Sequence, residues 1–142
     1  MTAAAAVVLD NEAIQALGTA THPKHRRTLS FIDAVNQRNQ RRRTPISVFV
    51  PVAVRVEAGW DRTAPESSLV NRLARARDVV QNGAAADRAA RLRVAAEVSV
   101  VDATVAQAAE ASPSPTVILT SDVADMRRLA ALLDGGAQVV RI

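Results

Sequence analysis

The chain of 142 residues contains no cysteine, and its aromatic content is confined to Phe31, Phe49 and Trp60. The first absence excludes a disulfide framework, a thiolate nucleophile and any cysteine-based zinc or iron–sulfur site, so chemistry here must rest on oxygen and nitrogen. The second leaves the core to Val, Leu, Ile and Ala, and extensive Ala faces imply closely packed helices. Glycine-rich dinucleotide loops and P-loops are also missing after every predicted strand, which argues against the common nucleotide-binding classes. The apolar stretch from Met1 to Leu9 lacks a basic leading region and is interrupted by Asp10 well short of a membrane-spanning or signal length. A cytoplasmic protein with no membrane association is the expectation.

What remains is 49% apolar and carries a net charge of +4, with Lys24 the only lysine. That composition suffices for a single core, and one domain over residues 1–142 is expected. Arginine makes bidentate contacts to phosphate, which makes nucleic acid a reasonable partner. A GC-rich genome favours Arg and Ala codons whatever the function, and composition leaves both explanations open.

Short runs rich in β-branched residues at Val7–Leu9, Ile46–Val50, Thr116–Thr120 and Gln138–Ile142 read as buried strands. Between them lie helical patterns at Asn11–Leu17, Lys24–Gln40, Val52–Trp60, Ser67–Ala76, Ala84–Ala96, Val101–Ala111 and Asp122–Leu133. Alternation of this kind argues for an α/β fold with a mostly parallel sheet covered on both faces. Proline and glycine support the boundaries: Pro51 opens a helix, Ser112-Pro113-Ser114-Pro115 separates helix from strand, and Gly135-Gly136 ends the last helix. Asp61 to Pro65 reads as a linker into a helical section at roughly 62–97, a hairpin beside the sheet, with a short strand at Asp78–Gln81 an option within it.

Asp10, Glu57, Asp102 and Asp122 each border an apolar run, where a carboxylate is costly unless a cation or proton neutralises it. In open α/β sheets ligands bind beyond the carboxyl ends of the strands. Asp10 and Asp122 directly follow strands, and Glu57 and Asp102 sit on helices able to face the same rim. Hard divalent cations such as Mg²⁺ or Mn²⁺ take oxygen ligands of this kind. Without one, the carboxylates repel and at least one should titrate anomalously high. Each acid has a plainer reading too. Asp10 would cap the Asn11–Leu17 helix, Asp122 with Asp125 would form a capping pair, and Asp102 would complement a helix dipole. Glu57 fits capping least, because its helix is apolar nearly all the way round with Arg55 its only polar neighbour.

Leu9-Asp10-Asn11-Glu12-Ala13, the mid-chain Glu57, Val100-Val101-Asp102-Ala103-Thr104-Val105-Ala106 and Leu119-Thr120-Ser121-Asp122-Val123-Ala124-Asp125 resemble, in order, the acidic motifs of PIN-domain ribonucleases. The likeness is to the VapC toxins of bacterial VapBC toxin–antitoxin systems. It implies a three-layer fold around a sheet of four to five strands, and a Mg²⁺- or Mn²⁺-dependent endoribonuclease that acts on RNA. It also implies a cognate VapB-like antitoxin and a homodimer. Carried over, Asp10, Glu57, Asp102 and Asp122 become the metal-binding and catalytic acids, with Asp125 a substitute or neighbouring acid. Two positions depart from the family pattern: Glu12 stands where many members have a small hydroxyl residue, and Met126 where many have an aromatic.

Other residues carry paired readings. Thr120 and Ser121 would orient a carboxylate or phosphate, or simply form a turn. Arg38 and Arg41-Arg42-Arg43 would touch RNA phosphates or antitoxin acids, or be a solvated helix end. His22 and His25 bracket a proline and read as a loop, not as zinc ligands. Trp60 would stack a base or pack against its helix. A receiver-type signalling domain and a haloacid-dehalogenase-like phosphatase both expect a late lysine, which this chain lacks. A catalytically inactive RNA- or antitoxin-binding module stays open.

Overall fold

The computed structural model describes residues 4–41 and 44–142. Five strands form one sheet, all parallel, in the order β3-β2-β1-β4-β5: β1 (Ala6–Leu9), β2 (Ser47–Pro51), β3 (Arg77–Val79), β4 (Thr116–Thr120) and β5 (Gln138–Arg141). Seven α-helices accompany it among the described residues: α1 (Asn11–Gly18), α2 (His25–Asn39), α3 (Val52–Ala58), α4 (Ser68–Ala74), α5 (Gly83–Ala96), α6 (Val100–Ala111) and α7 (Val123–Ala130). Among these described residues no helix is long and apolar enough to cross a membrane.

Sequence pattern follows position in the sheet. β1 and β4, central and covered on both faces, are buried at every residue, which is why they read as unbroken apolar runs. Their register pairs Val7 with Val117 and Leu9 with Leu119, so β4 runs one residue past the end of β1 and Thr120 comes level with Asp10. The edge strands β3 and β5 bury little and carry Arg77, Asp78, Gln138 and Arg141. Full burial of side chains such as Leu9, Ile118 and Leu119 contributes about 1.5–3 kcal/mol each.

Helices α1, α2 and α4 pack together on one face, and α5, α6 and α7 on the other. This layering follows from right-handed crossovers, because the chain runs from β1 outward to β3 and then returns past β1 to β4. The expected close helix contact is between α5 and α6, where Ala89, Ala96, Ala103 and Ala106 are buried. Arg88 clamps the same pair of helices through both oxygens of Glu110, each at 2.8 Å.

Residues 62–97 do not form a hairpin. They hold α4 on one face, β3 as an edge strand and α5 on the other face, since the chain must cross the sheet edge to reach the second layer. The strand there begins at Arg77, one residue before the option read from sequence. α3 stops at Ala58 because Gly59 adopts φ 65°, so Trp60 lies beyond the helix. α7 likewise ends at Ala130 and continues only as a turn.

Candidate metal centre

β1 and β4 are neighbours from which the chain departs in opposite directions, and the crevice beyond their carboxyl ends is the topological switch point of the sheet. Asp10 follows β1 and caps α1, with its Oδ1 accepting from Asn11 N at 2.6 Å. Its Oδ2 accepts from the buried Thr120 hydroxyl at 2.7 Å, and Thr120 Oγ1 in turn accepts from Asp122 N at 3.0 Å. The last residue of β4 thus ties the first acid to the turn that carries the last. Of the two strand-end hydroxyls, Thr120 is the one that orients a carboxylate.

Asp122 caps α7, with its Oδ1 facing Asp125 N at 3.4 Å. Asp102 sits in the first turn of α6 and donates its backbone N–H to Ser99 Oγ at 3.1 Å. Three helix N-termini therefore carry acids, and their partial positive charge favours carboxylates there. The capping readings hold for Asp10 and Asp122, yet each carboxylate oxygen has two lone pairs, so capping leaves capacity for a cation.

Asp102, Asp122 and Asp125 each offer a carboxylate oxygen within 4.8 Å of the others. Oxygens around a Mg²⁺-sized cation lie about 2.0–2.1 Å from it, so modest side-chain rotation closes this set on one ion. The donor set is entirely oxygen and fits a hard divalent cation. Its electrostatics agree: burial, with the charges of Asp10, Asp122 and Asp125, pushes the Asp102 carboxyl up to about 6 against the opposing Ser99 hydrogen bond. Burial also raises Asp10, which is 7% exposed, while Thr120 and Asn11 pull the other way.

Glu57 is placed differently. Its Oε1 accepts from Asn11 Nδ2 at 3.0 Å, and it stands apart from the three clustered oxygens. The apolar surroundings read from its helix are not an interior, since Val56 is 81% exposed and Glu57 is exposed beside it. Asp122 is exposed as well, whereas burial is the largest cause of the raised Asp10 and Asp102 carboxyls. Asp125 is already paired with Arg128, Nη2 to Oδ1 at 2.6 Å.

Several sequence readings resolve here. Glu12 neither joins the cluster nor faces solvent alone, because His22 and Lys24 contact it. Trp60 is buried, donates to Asn71 Oδ1 at 2.8 Å and lies under Arg62, so it packs and does not stack a base. Arg38 and Arg41 are exposed at the end of α2 that leads into β2, the opposite end of the sheet from the acids. Arg42 and Arg43 lie outside the described residues. Sequence reading missed Ser99, Asn11 and Arg128. Ser99 had a signal, its three-residue spacing before Asp102, and Arg128 had another, its helical spacing from Asp125.

No family model and no curated protein sequence matches the chain. Among solved structures, a chain of VapBC2 from Rickettsia felis bound to a DNA fragment from their promoter is similar, with TM-score 0.59 over 95% of this chain and 98% of that one, at 11% identity. At that identity the likeness is one of fold, and it supports the α/β, PIN-like three-layer arrangement described above.

Proposed function

We propose that the chain, as one PIN-like domain over residues 1–142, is a Mg²⁺- or Mn²⁺-dependent endoribonuclease and the toxin of a toxin–antitoxin pair. The observation that carries this reading is the convergence of Asp102, Asp122 and Asp125 oxygens within 4.8 Å, beside the buried Asp10, at the switch point of a parallel sheet. A divalent ion bound there supplies a more acidic water and offsets charge on a phosphodiester. The chain's own part is to hold the acids: Thr120 fixes Asp10, Ser99 anchors the turn carrying Asp102, and the α7 N-terminus presents Asp122 and Asp125. Glu57 acts from the flank through Asn11. Hydrolysis adds water across the phosphodiester, leaving one phosphomonoester end and one hydroxyl end. The similar fold of a VapBC2 chain supports a VapB-like antitoxin partner, and a homodimer in the cytoplasm completes the reading.

The test is to incubate antitoxin-free protein with RNA and Mg²⁺ or Mn²⁺ beside Asp10→Asn, Asp102→Asn and Thr120→Val. Cleavage is expected from the wild type, with a loss of about 100-fold or more for each Asn variant and about tenfold for Thr120→Val. Activity that survives chelation, or both Asn variants, refutes the mechanism. The Arg128–Asp125 pair, which neutralises one carboxylate without a metal, favours a second reading as a PIN-like module that binds RNA or antitoxin without cutting. Binding without cleavage in the same assay would select it.

A further inference from the structure

After α1 the chain turns back along the helix instead of leaving it. His22 N donates to Thr19 O at 2.9 Å, His25 N donates to His22 O at 2.9 Å, and the His25 Nδ1–H donates to Ala16 O at 2.7 Å. Lys24 N donates to His22 Nδ1 at 3.0 Å, which places the neutral ring's proton on Nε2. That nitrogen lies 3.3 Å from Glu12 Oε1, and Lys24 Nζ lies 3.6 Å from the same oxygen. Glu12 is two residues from Asp10, in the first turn of α1. The only lysine of the chain is thereby drawn to the rim of the acid crevice, although it sits past the end of α1 in sequence.

A phosphodiester approaching that crevice meets the charges of Asp10, Glu12, Asp102, Asp122 and Asp125, so a cation at the rim answers a specific electrostatic need. Lys24 has three ammonium donors, and its contact with Glu12 at 3.6 Å is an ion pair longer than a hydrogen bond. Its side chain is 35% exposed and open to a ligand. Glu12, the departure from the family pattern, is occupied by these two basic groups and does not stand free as a metal ligand. We propose that Glu12 is a positioning residue that holds Lys24 at the rim, where the ammonium binds a phosphate of the RNA strand; this rests on the nuclease reading above.

The experiment is fluorescence anisotropy of a short labelled single-stranded RNA with the full chain, metal-free under chelation, over a range of salt. Lys24→Ala is expected to raise Kd about fivefold and to flatten the salt dependence by about 0.7 in log–log slope, the share of one phosphate on a single strand. Lys24→Arg should restore both. In a Glu12→Ala background, Lys24→Ala should cost less than about twofold, since the anchor is gone. Glu12→Gln should leave Mn²⁺ affinity unchanged, as read by titration. Unchanged Kd and slope for Lys24→Ala, an equal penalty with or without Glu12, or a marked loss of Mn²⁺ binding in Glu12→Gln would each overturn the proposal. So would a wild type that binds no RNA, whereas RNA binding here with no cleavage once Mg²⁺ or Mn²⁺ is supplied refutes the nuclease reading and leaves the Lys24–phosphate contact standing. Circular dichroism melting confirms that each variant is folded.

Discussion

Asp102 concentrates the strain of the site in one carboxyl. With its folded pKa pushed up to about 6 from an ordinary value of 3.8, the folded chain holds a proton there that the unfolded chain has released. Stability therefore falls as pH rises through about 6, and Asp10, raised by burial, acts in the same direction. Metal-free protein is expected to melt higher at about pH 5 than at about pH 7. Asp102→Asn should flatten that slope and stabilise the metal-free protein at neutral pH, which thermal melts across pH will check. Glu110 and Asp61 are lowered instead, by Arg88 and by Thr63, and lose stability only below the ordinary carboxylate range, outside this window. At this scale Asp10 and Asp102 were legible from their apolar neighbours because burial in the fold agrees with burial in the pattern. The apolar neighbours of Glu57 did not translate into burial, since valines adjacent in sequence can face solvent on a short helix beyond the sheet rim, as Val56 does.

Strand and helix existence followed from hydrophobic runs, but ends were set by backbone conformations that apolar patterning does not encode. Gly59 is the clearest case. It stops α3 with φ 65°, and a Cβ there would meet nothing within 4 Å, so the glycine is required by dihedral angle and not by space. Gly18 is the converse, with ordinary helical φ and an added Cβ 3.6 Å from Val70 in normal contact. Gly59→Ala is expected to lower stability by about 1 kcal/mol, whereas Gly18→Ala should raise it by about 0.5 kcal/mol. Urea titrations of the two variants, with unchanged m-values, are the measurement. Arg75, at φ 47° without glycine's freedom, ends α4 only two residues before β3. That tight turn is why sequence patterning ran the helix on to Ala76 and saw the strand only from Asp78.

For the molecule as a whole, the acid crevice exists only when β1, β4, α6 and α7 are assembled, so a cation that binds there binds the folded state. Mn²⁺ or Mg²⁺ at tenfold excess over Kd should stabilise the chain by about 1.4 kcal/mol and raise Tm by roughly 4 °C, with Asp102→Asn abolishing the shift. Differential scanning calorimetry with and without metal gives the result, and a Tm indifferent to millimolar cation refutes the site. The alternation of buried runs with amphipathic helices determined an α/β parallel sheet, and acids at strand ends determined that some rim of it would be acidic. Periodicity and composition act locally, so both were readable from the chain alone. Tertiary structure decided which acids meet. Strand order placed β1 beside β4, which brought Thr120 to Asp10 across more than a hundred residues and gathered Asp102, Asp122 and Asp125, while leaving Glu57 to Asn11. It also folded the Thr19–Lys24 turn back onto Glu12, a contact set by chain reversal and not by any spacing in the sequence.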